Sequence, residues 1–144
     1  MSGIFFKKVD SDDYQFLYEL LSQRDPLANI SHKKMPTFRE HQKFINSKPY
    51  KIWYIILKKN KKIGTVYLSK QNEIGISFLK DFQSKGSGTY ALKFLIEKHP
   101  ERRYLANINP KNKKSMKFFT KHNFKLIQHT YEYIPNEEEQ NKTV

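Results

Sequence analysis

Apolar residues recur along the chain at two different spacings, which predict strands and helices. Runs rich in β-branched and aromatic residues predict six strands. These strands cover residues 4–9, 51–58, 63–68, 73–79, 104–108 and 124–134. Apolar positions three or four apart predict four helices. The helices begin after the N-cap candidates at 11–13, at the capping box Thr37–Glu40, after the glycine turn 86–88 and at Asn112.

The order of these elements, β-α-α-β-β-β-α-β-α-β, predicts an α/β fold of the mixed α+β kind. The three strands in the middle of the chain are joined by turns so short that only antiparallel pairing is possible. The strand–helix–strand unit that follows predicts one parallel crossover, which should be right-handed. We expect residues 1–135 to form a single domain and residues 136–144 to form a flexible polar tail.

Composition narrows the class of protein. The chain has 144 residues, a net charge of +13 and no cysteine, which excludes disulfides and thiolate chemistry. The N-terminal residues do not have the pattern of a signal peptide and no apolar run could span a membrane, so we expect a cytoplasmic protein. The positive charge comes from 23 Lys and only 4 Arg. Because base and phosphate recognition favours Arg, this charge alone does not predict a nucleic-acid partner.

The segment 82–92 carries the strongest chemical signal, because it joins a predicted strand to a predicted helix through Gly86-Ser87-Gly88. Glycines let the backbone approach a ligand closely, and the N–H groups of a first helical turn attract anions. Lys85 adds a positive charge. This arrangement suits a pyrophosphate, although it matches neither a Walker loop nor a dinucleotide fingerprint. A strand-to-helix turn made flexible by glycine would explain the same residues.

Two motifs resemble those of the GNAT N-acetyltransferases. The first, Gln83-x-x-Gly86-x-Gly88, resembles the pyrophosphate signature of that family, and the second is similar to its later motif. The second motif reads Asn112-x-x-Ser115-x-x-Phe118-Phe119-x-x-x-Asn123-Phe124. The resemblance covers residues 4–134 and implies that acetyl-CoA or CoA lies in a splayed gap between the fourth and fifth strands.

The resemblance also implies roles for individual residues. The implied cofactor-binding residues are Phe78, Leu79, Gln83, Ser84, Lys85, Gly86, Ser87, Gly88, Thr89, Asn112 and Ser115. Glu73 is the candidate base that accepts a proton from the amine, although a solvated charge at the start of a strand is the alternative reading. Phe119 stands where many members have a Tyr that protonates the leaving thiolate. Tyr90 or Tyr67 could take over that step, or the thiolate could leave unprotonated or take its proton from water.

The acceptor is implied only by short likenesses. Arg24-Asp25 and Glu40-His41-x-x-Phe44 look similar to segments of members that acetylate amino groups of nucleotide-linked sugars. His41 could contact the sugar or move a proton, although a helix cap with an exposed His nearby explains the same residues. Protein, peptide and other small-molecule amines are alternative acceptors. A non-catalytic CoA-binding module and a basic nucleic-acid-binding module are alternatives of another class. We expect no metal and no membrane partner, and a monomer or homodimer.

Overall fold

The structure is a computed structural model that describes residues 3–24, 34–83 and 86–136. Contacts between residues divide the chain into two compact units, Met1–Arg24 with Pro36–Asn107, and Asp25–Met35 with Ile108–Val144. The strands are β1 Ile4–Lys8, β2 Ile52–Lys58, β3 Lys61–Leu68 and β4 Ile74–Phe78. The helices are α1 Tyr14–Ser22, α2 Phe38–Asn46, α3 Ser87–Lys98 and α4 Lys113–Lys121, with short 3-10 turns at Ser11–Asp13 and Lys80–Phe82.

The first unit is built on an antiparallel sheet in the order β1-β2-β3-β4. Successive side chains of a strand point to opposite faces, and each face of this sheet is covered by different helices. On one face Ile55 packs with Leu17 of α1 and Ile45 of α2. On the other face the ring of Phe94 from α3 stacks on Phe6 at 3.8 Å. The mixed α/β fold class is confirmed.

Local capping signals explain where the first two helices begin. The Thr37–Glu40 capping box is confirmed, since Thr37 Oγ1 accepts from the Glu40 N–H and Glu40 Oε1 accepts from the Thr37 N–H. The helical segment before α1 begins one residue earlier than expected. Asp10 is its N-cap, and Asp13 completes that capping box. Each box satisfies N–H groups that a first helical turn leaves free.

The predicted strand 104–108 is wrong as a strand, although its parallel pairing is present at one point. Leu105 and Glu73 form an isolated parallel bridge. The Ile74 N–H donates to the Leu105 carbonyl, and the Leu105 N–H donates to the Asn72 carbonyl, both at 2.8 Å. No other backbone bond joins this segment to β4 in the described part of the chain. A ladder that stops after one bridge is not a strand, because strands need repeated pairing.

The predicted strand 124–134 is also wrong. Its residues have the composition of a strand, yet Leu126 is 78% exposed and Tyr131 is 91% exposed. A strand requires N–H and C=O partners on a neighbouring strand. Among the described residues of the second unit, α4 is the only regular element, so that unit has no strand with which this segment could pair.

Asn123, just after α4, adopts φ 72°, a left-handed conformation that Asn tolerates better than most residues. The predicted flexible tail, residues 136–144, falls almost entirely outside the described residues, which end at 136. Among the residues that the structure describes, no helix is both long and apolar enough to cross a membrane.

Gly75 in β4 has no room for a side chain. A Cβ built on it would lie 2.1 Å from the ring of Tyr67, its cross-strand partner on β3. We therefore expect Gly75→Ala to lower the free energy of unfolding by about 1–3 kcal/mol, because overpacking forces the ring or the strand to move. Urea denaturation measures this loss. The double variant Gly75→Ala with Tyr67→Ala should recover part of it, and no recovery would contradict the steric explanation.

Candidate active site

One edge of β4 pairs with β3, and the alternation of its backbone hydrogen bonds shows which backbone groups face the other edge. The Leu79 N–H donates to the Ile63 carbonyl at 2.9 Å, and the Glu73 carbonyl accepts from the Ser69 N–H at 2.8 Å. In an antiparallel pair, backbone groups point alternately toward and away from the partner strand. The N–H and C=O groups of Ile76 and Phe78 therefore point away from β3, toward the edge that the Leu105 bridge leaves open.

The two residues expected to bind the pantetheine arm, Phe78 and Leu79, differ in the edge of β4 that their N–H groups face. The Leu79 N–H is bonded to Ile63, and its carbonyl accepts from the Phe82 N–H at 2.9 Å. The Phe78 carbonyl accepts from Gln83 Nε2 at 3.1 Å. The Phe78 N–H lies on the open edge, so Phe78 is better placed than Leu79 to donate to a ligand there.

The glycine turn leads directly into α3. Gly86 has φ 83°, the left-handed region that a side chain disfavours, and it is the N-cap of α3. Ser87, Gly88 and Thr89 form the first turn of the helix, where N–H groups and the helix dipole favour an anion. Ser84 and Lys85, two of the expected cradle residues, lie outside the described residues. The left-handed glycine and the open strand edge together fit a ligand with a diphosphate and an extended arm.

Asn112 and Ser115 belong to the second unit. Asn112 is the N-cap of α4, and its side-chain oxygen accepts from the Ser115 N–H at 3.1 Å. The helix start expected at Asn112 is therefore confirmed. Their expected position near the cofactor arm stays a prediction.

The Glu73 carboxylate is held by hydrogen bonds on both oxygens. Its Oε1 accepts from the Ser69 hydroxyl at 3.0 Å, and its Oε2 accepts from Asn107 Nδ2 at 2.5 Å. Glu73 is partly buried at the start of β4, beside the Leu105 bridge. It is thus an anchored group and not a freely solvated charge.

The two tyrosines considered for the proton-donating step lie on opposite faces of the sheet. Tyr90 stacks on Phe6 with ring centroids 5.9 Å apart, on the face covered by α3. Tyr67 pairs with Gly75, and by the two-residue alternation Gly75 shares a face with Glu73. Of the two, Tyr67 is therefore the one on the Glu73 face.

His41 lies on α2 and is 8% exposed, in contrast to the exposed His considered as an alternative. Its ring packs against Phe44 at 6.0 Å and Tyr18 at 5.8 Å. Burial lowers the pKa of His41 below its usual value, so the ring is neutral at pH 7. Its Nδ1 is buried and has no hydrogen-bond partner within the described part of the chain.

No sequence motif marks several residues that the fold brings to the sheet face of Tyr67 and Glu73. Tyr50 stacks on Tyr67 with ring centroids 3.7 Å apart, and Trp53 lies edge-on to Tyr50 at 4.8 Å. Burial raises the pKa of Tyr50, and the neighbouring Tyr67 hydroxyl raises it further. Asn107, 34 positions after Glu73, is likewise not marked by a motif. No local sequence signal connects residues that are so far apart.

A cavity of about 280 Å³ lies in the same unit and shares Tyr50 and Trp53 with this aromatic group. Its other lining residues are Lys8, Val9, Asp10, Ser11, Tyr14, Ile45, Asn46, Lys48, Pro49, Lys51 and Ile52. The cavity is therefore aromatic on one side and carries several lysines. Such a mixture suits a ligand that has both a ring and a negative charge.

An antiparallel sheet with an open strand edge, beside a glycine turn at a helix N-terminus, is the framework of an acyltransferase that uses a diphosphate-bearing carrier. The chain belongs to the acetyltransferase (GNAT) family, whose sequence model matches residues 14–124. It is accordingly an acyltransferase of the N-acetyltransferase type, and its cofactor is acetyl-CoA. None of the curated proteins compared matches this chain.

Several solved structures have the same fold, and each match covers most of this chain. A domain from Methanocaldococcus jannaschii DSM 2661 is 24% identical, with a TM-score of 0.72, and the match covers 90% of this chain and 92% of that one. An N-acetyltransferase from Staphylococcus aureus Mu50 is 19% identical, with a TM-score of 0.70 and coverage of 86% and 84%. AAC(6')-Iy, in complex with the bisubstrate analog CoA-S-monomethyl-acetylneamine, is 14% identical, with a TM-score of 0.68 and coverage of 94% and 99%. At these identities the likeness establishes the fold.

Proposed function

We propose that this acetyltransferase acts on the amino group of a nucleotide-linked sugar. The observation that carries the proposal is the cavity lined by Tyr50, Trp53 and the lysines Lys8, Lys48 and Lys51. Aromatic faces pack well on sugar and base rings, and ammonium groups attract the charge of a diphosphate. Asp10 also lines this cavity, but its carboxylate lies 3.4 Å from Lys7 Nζ, which offsets its charge.

Two contacts connect residues that line the cavity with Tyr67 and with residues 69–73, the turn that leads into β4. Tyr50 stacks on Tyr67, whose ring covers Gly75, two residues after Glu73. Lys51 Nζ donates to Asn72 Oδ1 at 3.0 Å, and Asn72 immediately precedes Glu73. A sugar in the cavity would therefore lie beside the turn that carries Glu73, with its amino group directed past Tyr67 toward the carboxylate. This proximity supports the cavity as the acceptor subsite.

The proposed mechanism assigns a task to each group on this face. Acetyl-CoA supplies an acetyl group that is activated as a thioester. Glu73 accepts a proton from the acceptor ammonium, directly or through a water, so that the amine attacks as a free base. The Phe78 N–H, on the open edge of β4, would donate to the carbonyl oxygen under attack. Tyr67 would give its hydroxyl proton to the thiolate of CoA, and its phenolate would take up the second proton of the attacking nitrogen.

Binding of the cofactor is assigned in the same way. The N–H groups of the 83–89 segment would hold the pyrophosphate at the start of α3, and Lys85 would add charge. The left-handed Gly86 supports this assignment, because it turns the chain into the helix without a side chain in the way. Asn112 and Ser115 would contact the cofactor arm, as the family resemblance implies.

The test is a thiol-release assay with acetyl-CoA and a panel of amines, namely a nucleotide-linked amino sugar, the free amino sugar, a peptide and a polyamine. We expect turnover to be highest with the nucleotide-linked sugar. Lys48→Gln should raise KM for that substrate about tenfold and leave KM for the free sugar unchanged, because only the former carries the diphosphate. Lys70→Gln, which removes an exposed lysine that does not line the cavity, is the matched control.

Other outcomes would overturn different parts of the proposal. A preference for peptide amines would exclude the sugar acceptor and keep acetyl transfer. Failure of CoA to raise Tm, together with salt-sensitive DNA binding, would contradict acetyl transfer itself and favour a nucleic-acid-binding module.

A further inference from the structure

Asn107 makes a side-chain contact that neither the family match nor the sequence motifs assign. Its amide nitrogen donates to Glu73 Oε2 at 2.5 Å, across 34 positions of the chain. Asn107 is exposed and lies two residues after Leu105, the residue that pairs with Glu73 in the parallel bridge. The bond therefore joins the residue that precedes β4 to the segment that follows Leu105.

The second donor to this carboxylate comes from the opposite direction along the chain. Ser69 follows β3, and its hydroxyl donates to Glu73 Oε1 at 3.0 Å. The same hydroxyl oxygen accepts from the Glu73 N–H at 2.9 Å and from the Gln71 N–H at 3.2 Å. The Ser69 N–H also bonds to the Glu73 carbonyl at 2.8 Å. Ser69 is thus rigidly placed within the turn that leads into β4.

The backbone on the Asn107 side is fixed as well. The Leu105 N–H bonds to the Asn72 carbonyl and its carbonyl accepts from the Ile74 N–H, both at 2.8 Å. Asn72 is held in addition by Lys51 at 3.0 Å and lies 3.4 Å from Glu101. Ser69 is therefore mounted on hydrogen-bonded backbone, and Asn107 follows two residues after the hydrogen-bonded Leu105. With one donor on each oxygen, the plane of the carboxylate has little freedom to rotate.

A carboxylate offers about four lone-pair directions on its two oxygens. Ser69 uses one on Oε1, and Asn107 uses one on Oε2. Each oxygen therefore keeps capacity to accept a proton or an N–H from a third group. Of the two donors, the Asn107 side chain is exposed and Ser69 is buried, so Glu73 is reached from the Asn107 side of the turn.

We propose that Asn107 is a positioning residue, which orients the Glu73 carboxylate so that a free lone pair faces the incoming amine. The proposal rests on the function assigned to Glu73 above. Asn107 acts through Glu73 and does not need to touch the substrate. Its loss would leave the carboxylate present but free to turn, and misplacement of a reacting group by small distances slows catalysis strongly.

The groups that could influence the charge of Glu73 lie on four segments. Lys51, immediately before β2, and Glu101, after α3, form an ion pair at 3.2 Å and both contact Asn72. Tyr67 of β3 lies over Gly75, and Lys70 is on the turn itself. Because Lys51 and Glu101 offset each other, a new negative charge at position 107 would be felt mainly by Glu73.

The test compares three variants of the whole chain. Asn107→Ala should lower kcat about tenfold with KM for acetyl-CoA unchanged. Asn107→Asp, nearly the same shape, places a second carboxylate against Glu73. It should move the acid limb of the pH–rate profile to higher pH by about one unit, because like charges disfavour ionisation. Gln71→Ala, an exposed residue of the same turn, is the control and should leave both readouts unchanged.

Thermal stabilisation by CoA is measured alongside, since it does not depend on turnover. Unchanged stabilisation in the Asn107 variants, with the kinetic effects above, supports a positioning role. If Asn107→Ala keeps a normal kcat and Asn107→Asp keeps the original profile, the proposal is overturned. It is equally overturned if activity falls only in parallel with Tm and CoA stabilisation, because the bond would then be a structural clasp. Absence of thiol release with every amine in the unaltered chain would instead defeat the proposed function.

Discussion

Replacing Glu73 with Gln is expected to lower kcat by about 10²-fold or more, the usual contribution of a positioned base. Gln has the shape of Glu but cannot take up a proton from the amine. The hydrogen bonds of this site should survive the change, because the Gln oxygen can still accept from the Ser69 hydroxyl and the new amide can donate to Asn107 Oδ1 once the Asn107 amide turns by 180°. The measurement is the pH dependence of kcat, with thermal stabilisation by CoA as the check on binding.

Glu97→Gln is the matched control for this experiment. Glu97 is an exposed carboxylate on α3, and the mechanism gives it no role. Its replacement should leave kcat within about twofold. A near-normal kcat for Glu73→Gln would show that Glu73 only joins β4 to Asn107 and that the amine loses its proton elsewhere.

Asp13→Asn is expected to cause the largest loss of stability. Asp13 is fully buried, and its two carboxylate oxygens lie 2.6 Å from Lys7 Nζ and 2.7 Å from Lys62 Nζ. It also accepts from the Asp10 N–H at 2.8 Å. Removing its charge breaks both ion pairs and leaves Lys7 only the more distant contact with Asp10 at 3.4 Å, at a cost of about 3 kcal/mol. For a chain of this size, Tm should fall by about 10 °C.

The same cluster predicts how stability depends on pH. Burial alone would raise the pKa of Asp13, but the ammonium groups of Lys62 and Lys7 outweigh burial and bring this pKa below its usual 3.8. A carboxyl with a lowered pKa stabilises the fold fully above its unfolded value, and this contribution disappears as the pH falls through the lower, folded value. Denaturation below about pH 4 should therefore be steeper for the unaltered chain than for Asp13→Asn.

Asp12→Asn is the control for this cluster, because Asp12 is the exposed neighbour of Asp13. It should leave both Tm and the acid transition unchanged. If Asp13→Asn costs no more than Asp12→Asn, the buried ion cluster does not stabilise the fold.

Features that depend on neighbours in sequence could be predicted, and those that depend on distant partners could not. The Thr37–Glu40 capping box and the antiparallel turns between β2, β3 and β4 follow from residues within a few positions of each other. In contrast, the pairing of Asp13 with Lys62 joins residues 49 apart. Nothing in the local pattern marks Asp13 as buried, and its neighbours suggested only an exposed helix cap.

The candidate site shows the same division. The glycine turn could be predicted from the sequence, because the positive φ of Gly86 depends on the residue itself and not on a distant partner. The sheet face on which Tyr90 lies depends on how α3 packs, and its stacking on Phe6 could not be inferred from spacing. Residues 124–134 have the composition of a strand, yet strand formation depends on a partner, and composition does not specify a partner.

The outer edge of β4 has a consequence for the protein without its cofactor. Ile76 points its amide and carbonyl away from β3, and after the Leu105 bridge the described chain supplies no neighbouring backbone to meet them. Exposed edges of this kind can recruit a strand from another molecule. The extended arm of CoA would occupy the place of that missing strand, so a saturating supply of cofactor should also protect the enzyme from self-association.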